Sequence, residues 1–110
     1  MATEMMDKIW DDPAMVASDV YKLVLENDRT RVFDVRFKKG QKAKMHGHPD
    51  HIVYVISDYT LNLMLPDGTS QIIPLKAGQA FWMQAGPHAA ENIGTTEGHA
   101  IVIEFKDGKK

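Results

Sequence analysis

The sequence predicts an all-β domain folded as a sandwich or barrel. Three observations lead there: runs that alternate apolar and polar at period two from Tyr21 onward, turn-forming clusters at short, regular intervals, and a single stretch of helical character. With 110 residues, 44% of them hydrophobic, the chain forms one domain and carries enough apolar side chain to bury a core.

The elements follow in order. Residues 1–20 read as an N-terminal arm containing one short helix, because Asp12 precedes Pro13 at a first-turn position and Ala14, Met15, Val16 and Ala17 continue from it. The arm is expected to pack on the barrel or on a partner. Residues 21–105 hold the strands, roughly eight of them. Tyr21, Leu23 and Leu25 share a phase, as do Phe33, Val35 and Phe37 opposite Asp34, Arg36 and Lys38. Leu61, Leu63 and Leu65 repeat the pattern, and Ile101, Ile103 and Phe105 are expected to face the core, away from Glu104 and Lys106. Leu61–Leu65, Pro66-Asp67-Gly68-Thr69 and Ser70–Pro74 make the clearest hairpin, since Asp-Gly supplies the positive φ of a tight reversal. Residues 106–110 are a polar, Gly-containing tail expected to fray.

Charge narrows the partners. Thirteen Lys plus Arg against fifteen Asp plus Glu give a net charge of −2, which offers no strong attraction for nucleic acid or an acidic membrane. A small-molecule ligand or substrate is the expected partner. The chain has no cysteine, so thiolate chemistry and Cys-held zinc or iron–sulfur sites are excluded, and a metal must be held by His, Asp or Glu. The polar, acidic start and the lack of 18 consecutive apolar residues lead to the expectation of a cytoplasmic protein.

Four of the five histidines fall in two segments. In a strand, residues two apart point to one face, so His46-Gly47-His48 presents two imidazoles side by side. Pro49 and Asp50 bend the chain, and His51 opens the next strand in phase with Val53 and Val55; it either faces the same interior or caps the loop. His88 arrives at Gly86-Pro87-His88, with Ala90 and Asn92 in phase, which brings Asn92 toward the site. Neutral imidazoles converging from distant segments suit a divalent transition metal such as Fe, Mn, Zn, Ni or Cu. His99, after Gly98 at a turn, reads as an exposed or core-edge histidine. Met45, Met64 and Met83 are expected to fill gaps between sheets, and Lys38, Lys39, Lys42 and Lys44 form a solvated basic turn. Trp82, out of phase with Phe81 and Met83, is expected on an outer face, buried in a subunit interface or covering the sheet.

These residues resemble the cupin superfamily. Its first motif is Gly, five residues, His-x-His, three or four residues and Glu; Gly40, residues 41–45 and His46-Gly47-His48 fit the opening without a gap. Its second is Gly, five residues and Pro-x-Gly-x-x-His-x-x-x-Asn; Gly78 is followed by Gln84 in the Pro position, Gly86, His88 and Asn92. Three departures stand out. Ile52 occupies the nearest position for the motif-one Glu, the Gly86-to-His88 interval is one residue short, and Ser57-Asp58 replaces a closing glycine. His51 is the plausible substitute for the missing Glu, so the resemblance implies a four-histidine site of His46, His48, His51 and His88. It also implies a jelly-roll barrel of six to eight strands and a homodimer. The run His48-Pro49-Asp50-His51 with Val53-Tyr54-Val55, and Glu91-Asn92-Ile93-Gly94 later, is similar to small single-domain cupins associated with beta-alanine degradation.

Two functions remain open on the sequence. Four neutral imidazoles leave the full charge on the ion, and an octahedral ion would keep two positions free for a small dicarbonyl or oxo acid; with iron or manganese, dioxygenase-like carbon–carbon cleavage is the enzyme expectation. No inward carboxylate is expected as general base on the strands that carry the histidines, since Glu91 is out of phase with His88 and Asp50 sits in a bend. Alternatively, four protein ligands close the site, and the metal staples the fold or senses a small ligand.

Overall fold

The structure, a computed structural model, describes residues 10–106. Expectations for residues 1–9 of the arm and 107–110 of the tail lie outside the described residues. Helix α1 is Pro13–Val16, and the side chain of its N-cap, Asp12, accepts a hydrogen bond from Ala14 N at 3.0 Å. Nine strands follow among the described residues: β1 Tyr21–Glu26, β2 Thr30–Phe37, β3 Lys42–His48, β4 His51–Ser57, β5 Tyr59–Met64, β6 Ser70–Leu75, β7 Ala80–Met83, β8 Gly86–Asn92 and β9 Gly98–Phe105. No helix among these residues is long and apolar enough to cross a membrane.

The strands form two antiparallel sheets, one of five strands in the order β1-β2-β9-β4-β7 and one of four in the order β3-β8-β5-β6. Only β1–β2 and β5–β6 are hairpins between chain neighbours; every other connection carries the chain from one sheet to the other. That exchange is consistent with a jelly roll. The expected barrel is corrected in one respect: no hydrogen-bonded strand pair joins the sheets among the described residues, so they meet as two open layers. The β5–β6 turn is the expected Asp-Gly reversal, with Gly68 at φ +91° and Asp67 Oδ1 accepting from Thr69 N at 2.9 Å.

The core lies between the layers. Phe33, Val35 and Phe37 of β2 point inward as their phase requires and meet Val53 and Val55 of β4, Tyr59 and Leu63 of β5, and Ala90 of β8. On β1 only Tyr21 is buried. Leu23 and Leu25 are exposed because β1 is an edge strand whose register shifts between those residues. Leu65 lies past the end of β5, in the turn, and is exposed as well.

Strand β9 runs in the opposite phase to the one expected. Gly98, Ala100, Val102 and Glu104 are buried, whereas Ile101, Ile103 and Phe105 are half-buried on the outer face. Both phases of this strand are apolar, and the smaller set fits inside: a Cβ on Gly98 would overlap the Tyr59 ring. Strand β3 carries an irregularity between Ala43 and His46 that breaks the strict alternation. It turns Met45 outward, against the expectation of a core methionine, and turns His46 inward. Met83 does pack against the core.

Candidate metal centre

The candidate site forms where three strand ends meet. His46 and His48 end β3, His51 begins β4 in the facing sheet, and His88 lies on β8 directly across from His46 in the β3–β8 ladder. All four imidazoles are buried. His48 is central: its ring centroid lies 4.8 Å from that of His46, 4.5 Å from His51 and 5.2 Å from His88. His46 and His88 are 4.9 Å apart by the same measure.

Three of the rings are oriented by what their Nδ1 atoms touch. His46 Nδ1 is 2.5 Å from Lys44 O, His51 Nδ1 is 2.8 Å from Pro49 O, and His48 Nδ1 is 2.5 Å from Glu104 Oε2. Carbonyl and carboxylate oxygens accept, so each Nδ1 carries the proton and leaves the Nε2 lone pair free. His46 Nε2 and His48 Nε2 are buried and have no hydrogen-bond partner. A buried polar atom left unpaired is costly, and two aimed into one space need an explanation.

A divalent transition metal explains them. Donor nitrogens of His46, His48 and His88 all lie within 4.8 Å of one another. An ion bonded at 2.0–2.1 Å spans at most about 4.2 Å between donors, so small ring movements would bring the three onto one ion. His51 stands against His48 in the same interior but outside that group of three. Burial holds His46 and His51 below the usual imidazole range and His48 and His88 well below it; the neighbouring imidazoles lower His48 and His88 further. Neutral rings are the form a metal needs.

Glu104 is the residue that strand periodicity misplaces. Its carboxylate receives His48 on one oxygen and Arg31 Nε on the other, the latter at 3.0 Å. Arg31 in turn grips Asp12 with two bonds of 3.0 and 2.9 Å and lies over the Phe33 ring. The chain Asp12–Arg31–Glu104–His48 therefore ties the N-terminal arm to a ring of the site. Burial raises the Glu104 carboxyl from its ordinary range while Arg31 pulls it down. For Arg31, burial lowers and the two carboxylates raise, with the net effect upward, so the guanidinium stays charged. Arg31 shares its strand phase with Phe33, Val35 and Phe37, and a cation on that inward face calls for an inward carboxylate; that was the signal available for Glu104.

The arm also covers the site from outside. Gly47 N donates to Asp11 O at 2.8 Å, and a Cβ on Gly47 would run into Trp10. Tyr21 packs its ring against His46 and His48, with centroids 5.0 and 5.3 Å apart, and burial raises its hydroxyl so that it remains a neutral phenol.

Asn92, expected near the histidines, instead staples backbone. Its Nδ2 donates to Thr96 O at 2.8 Å and Phe37 O at 3.3 Å, and its Oδ1 accepts from Gly94 N at 3.1 Å. His99 lies outside the site, where it meets Asp34 on the outer face of the five-stranded sheet.

Between the sheets, His51 and His88 border a cavity of about 40 Å³ whose other walls are apolar or phenolic. His88, Leu63 and Met83 line both this cavity and an outer cleft formed by Leu65-Pro66-Asp67 and residues 84–87.

No family model matches the chain. The beta-alanine degradation protein BauB of Pseudomonas aeruginosa is 33% identical over 80 residues, spanning 72% of this chain and 81% of that protein. Among solved structures, a cupin domain from Bordetella pertussis Tohama I superposes with a TM-score of 0.74 at 28% identity, covering 80% of this chain and 93% of that one. An RmlC-like cupin of double-stranded β-helix fold from Methanocaldococcus jannaschii gives a TM-score of 0.63 at 14% identity, with 78% of each chain covered, and shares the fold.

Proposed function

This chain belongs to the cupin family, and from that premise we propose that it is a metal-dependent, dioxygenase-like enzyme acting on a small oxygen-chelating substrate such as a dicarbonyl or oxo acid. The supporting observation is the pair of buried, unpartnered ring nitrogens, His46 Nε2 and His48 Nε2, beside His88. In this reading His46, His48 and His88 hold the ion and His51 is the fourth ligand. A bound divalent transition ion would supply Lewis acidity and, as iron or manganese, access to dioxygen.

The chain's own residues set the rest. Lys44 O and Glu104 fix the His46 and His48 rings with Nε2 free beside His88, and Pro49 O holds the His51 ring next to His48, so little reorganisation of these rings is needed when a ligand arrives. The apolar walls beside His51 and His88 offer few partners to water there. Both Glu104 oxygens are engaged, by Arg31 and His48, which makes Glu104 a positioning residue rather than a free general base.

The test is oxygen consumption by iron-loaded protein across a panel of 1,3-dicarbonyls and 3-oxo acids. Uptake that depends on both iron and substrate is expected. A loaded protein inert to the whole panel favours the second reading, a non-enzymatic metal site that binds a small ligand or braces the two sheets. The observation behind that second reading is the histidine set itself, drawn from both sheets.

We also propose that the protein acts in the cytoplasm as a homodimer. One apolar row, Leu25–Val32–Ile103–Ile52–Trp82, crosses the outer face of the five-stranded sheet in register. Trp82, at its end, is 55% exposed and stacks on Phe105. A row exposed at both ends, Leu25 and Trp82, and half-buried between them at Val32, Ile103 and Ile52 suits a second copy of the chain.

A further inference from the structure

Building on the metal reading above, we infer that the substrate is a small chelator whose remainder is apolar and bears no second charged group. The carrying observation is the wall of the interior cavity. His51 and His88 stand on it, and no Lys, Arg, Asp, Glu, Ser, Thr, Asn or Gln side chain lines it. The remaining lining residues are aliphatic or aromatic, with Val53, Leu61, Phe81 and Val102 representative, and the other side chains among them that carry a hydroxyl are Tyr21 and Tyr59. Burial pushes the Tyr59 hydroxyl up to about 12, so it stays neutral at ordinary pH.

A chelating head placed on the ion delivers its charge to the ion. A second carboxylate further along the same molecule would meet neutral imidazoles, neutral phenols and hydrocarbon. It would lose water and gain no cation in return, whereas a methyl group at that position gains from burial. The approach adds to the discrimination: Asp67, an anion, is the charged side chain lining the outer cleft. Size sets a further limit, because a cavity of about 40 Å³ holds about three waters by the same measure and so admits a short tail.

Two 2-oxo acids with the same head and chain length separate these effects: 2-oxopentanoate ends in methyl and 2-oxopentanedioate in carboxylate. Calorimetric titration of each into cobalt(II)-loaded protein, with metal-free protein as control, measures the difference without turnover. The loaded wild type is expected to bind 2-oxopentanoate at least about ten-fold more tightly. Equal affinities, tighter binding of the diacid, or binding of neither overturns the inference. Met83, on the partition between cavity and cleft, is where a cation can be added within reach of solvent. Folded Met83→Arg is expected to bind the diacid about ten-fold more tightly than wild type does, and unchanged diacid affinity counts against the inference. Failure of cobalt(II) itself to bind, seen in the preceding metal titration, overturns the metal reading instead.

Discussion

Glu104 and His48 are hydrogen-bonded at 2.5 Å in the interior, the carboxylate on β9 of one sheet and the imidazole on β3 of the other. The contact joins the two layers and fixes which nitrogen of His48 faces the other histidines. Because Arg31 holds the second carboxylate oxygen, Glu104 cannot turn away without breaking a buried ion pair.

Glu104→Gln should therefore weaken metal binding without removing a ligand. The expected loss is about 10–100-fold in zinc affinity, measured by competition with a chromophoric chelator. Affinity within two-fold of wild type would mean that Glu104 does not orient His48.

Gly47→Ala tests the cover formed by the arm. The added methyl overlaps Trp10, so Trp10 and the Asp11 carbonyl that accepts from Gly47 N must move. A destabilisation of about 1–3 kcal/mol in urea denaturation is expected, with a shift in Trp fluorescence. An unchanged midpoint and spectrum would detach the arm from the site.

Metal-free protein should lose stability in mild acid. All four site histidines are held below the ordinary imidazole value of 6.5, so the unfolded chain binds more protons than the folded one once the pH falls past that value. Their contribution is fully present above pH 6.5 and is lost progressively below it. Urea midpoints at pH 8.0 and 5.5 check the sign: a lower midpoint at 5.5 is expected, and a flat or rising profile contradicts the buried neutral rings.

The apolar row ending at Trp82 carries the proposed dimer. Sedimentation equilibrium should show a dimer for wild type and a shift toward monomer for Trp82→Ala. A monomeric wild type at micromolar concentration would rule the row out as an interface.

Much of this architecture is legible in the residues because period two is a direct statement about faces. Phe33, Val35 and Phe37 are unambiguous, Asp67-Gly68 fixes its turn, and His46-x-His48 has one geometric meaning in a strand even where a bulge resets the phase before it. Strand β9 is illegible by the same rule, since Ala100 and Val102 alternate with Ile101 and Ile103 and hydrophobicity does not choose between them. What chooses is space, notably the Tyr59 ring against Gly98, and space belongs to the folded state. The error on β9 hides Glu104, and with it the link from Asp12 through Arg31 to His48. Asn92 fails differently: its spacing from His88 matches the second motif, but its hydrogen bonds serve a loop.

The most direct measurement is elemental analysis of untagged protein, wild type beside His46→Ala, His48→Ala and His51→Ala, each shown to be folded by circular dichroism. About one divalent transition ion per chain is expected in wild type, with loss in His46→Ala and His48→Ala and a smaller loss in His51→Ala. Equal metal content in wild type and in the His46 and His48 variants would contradict a metal centre at these histidines.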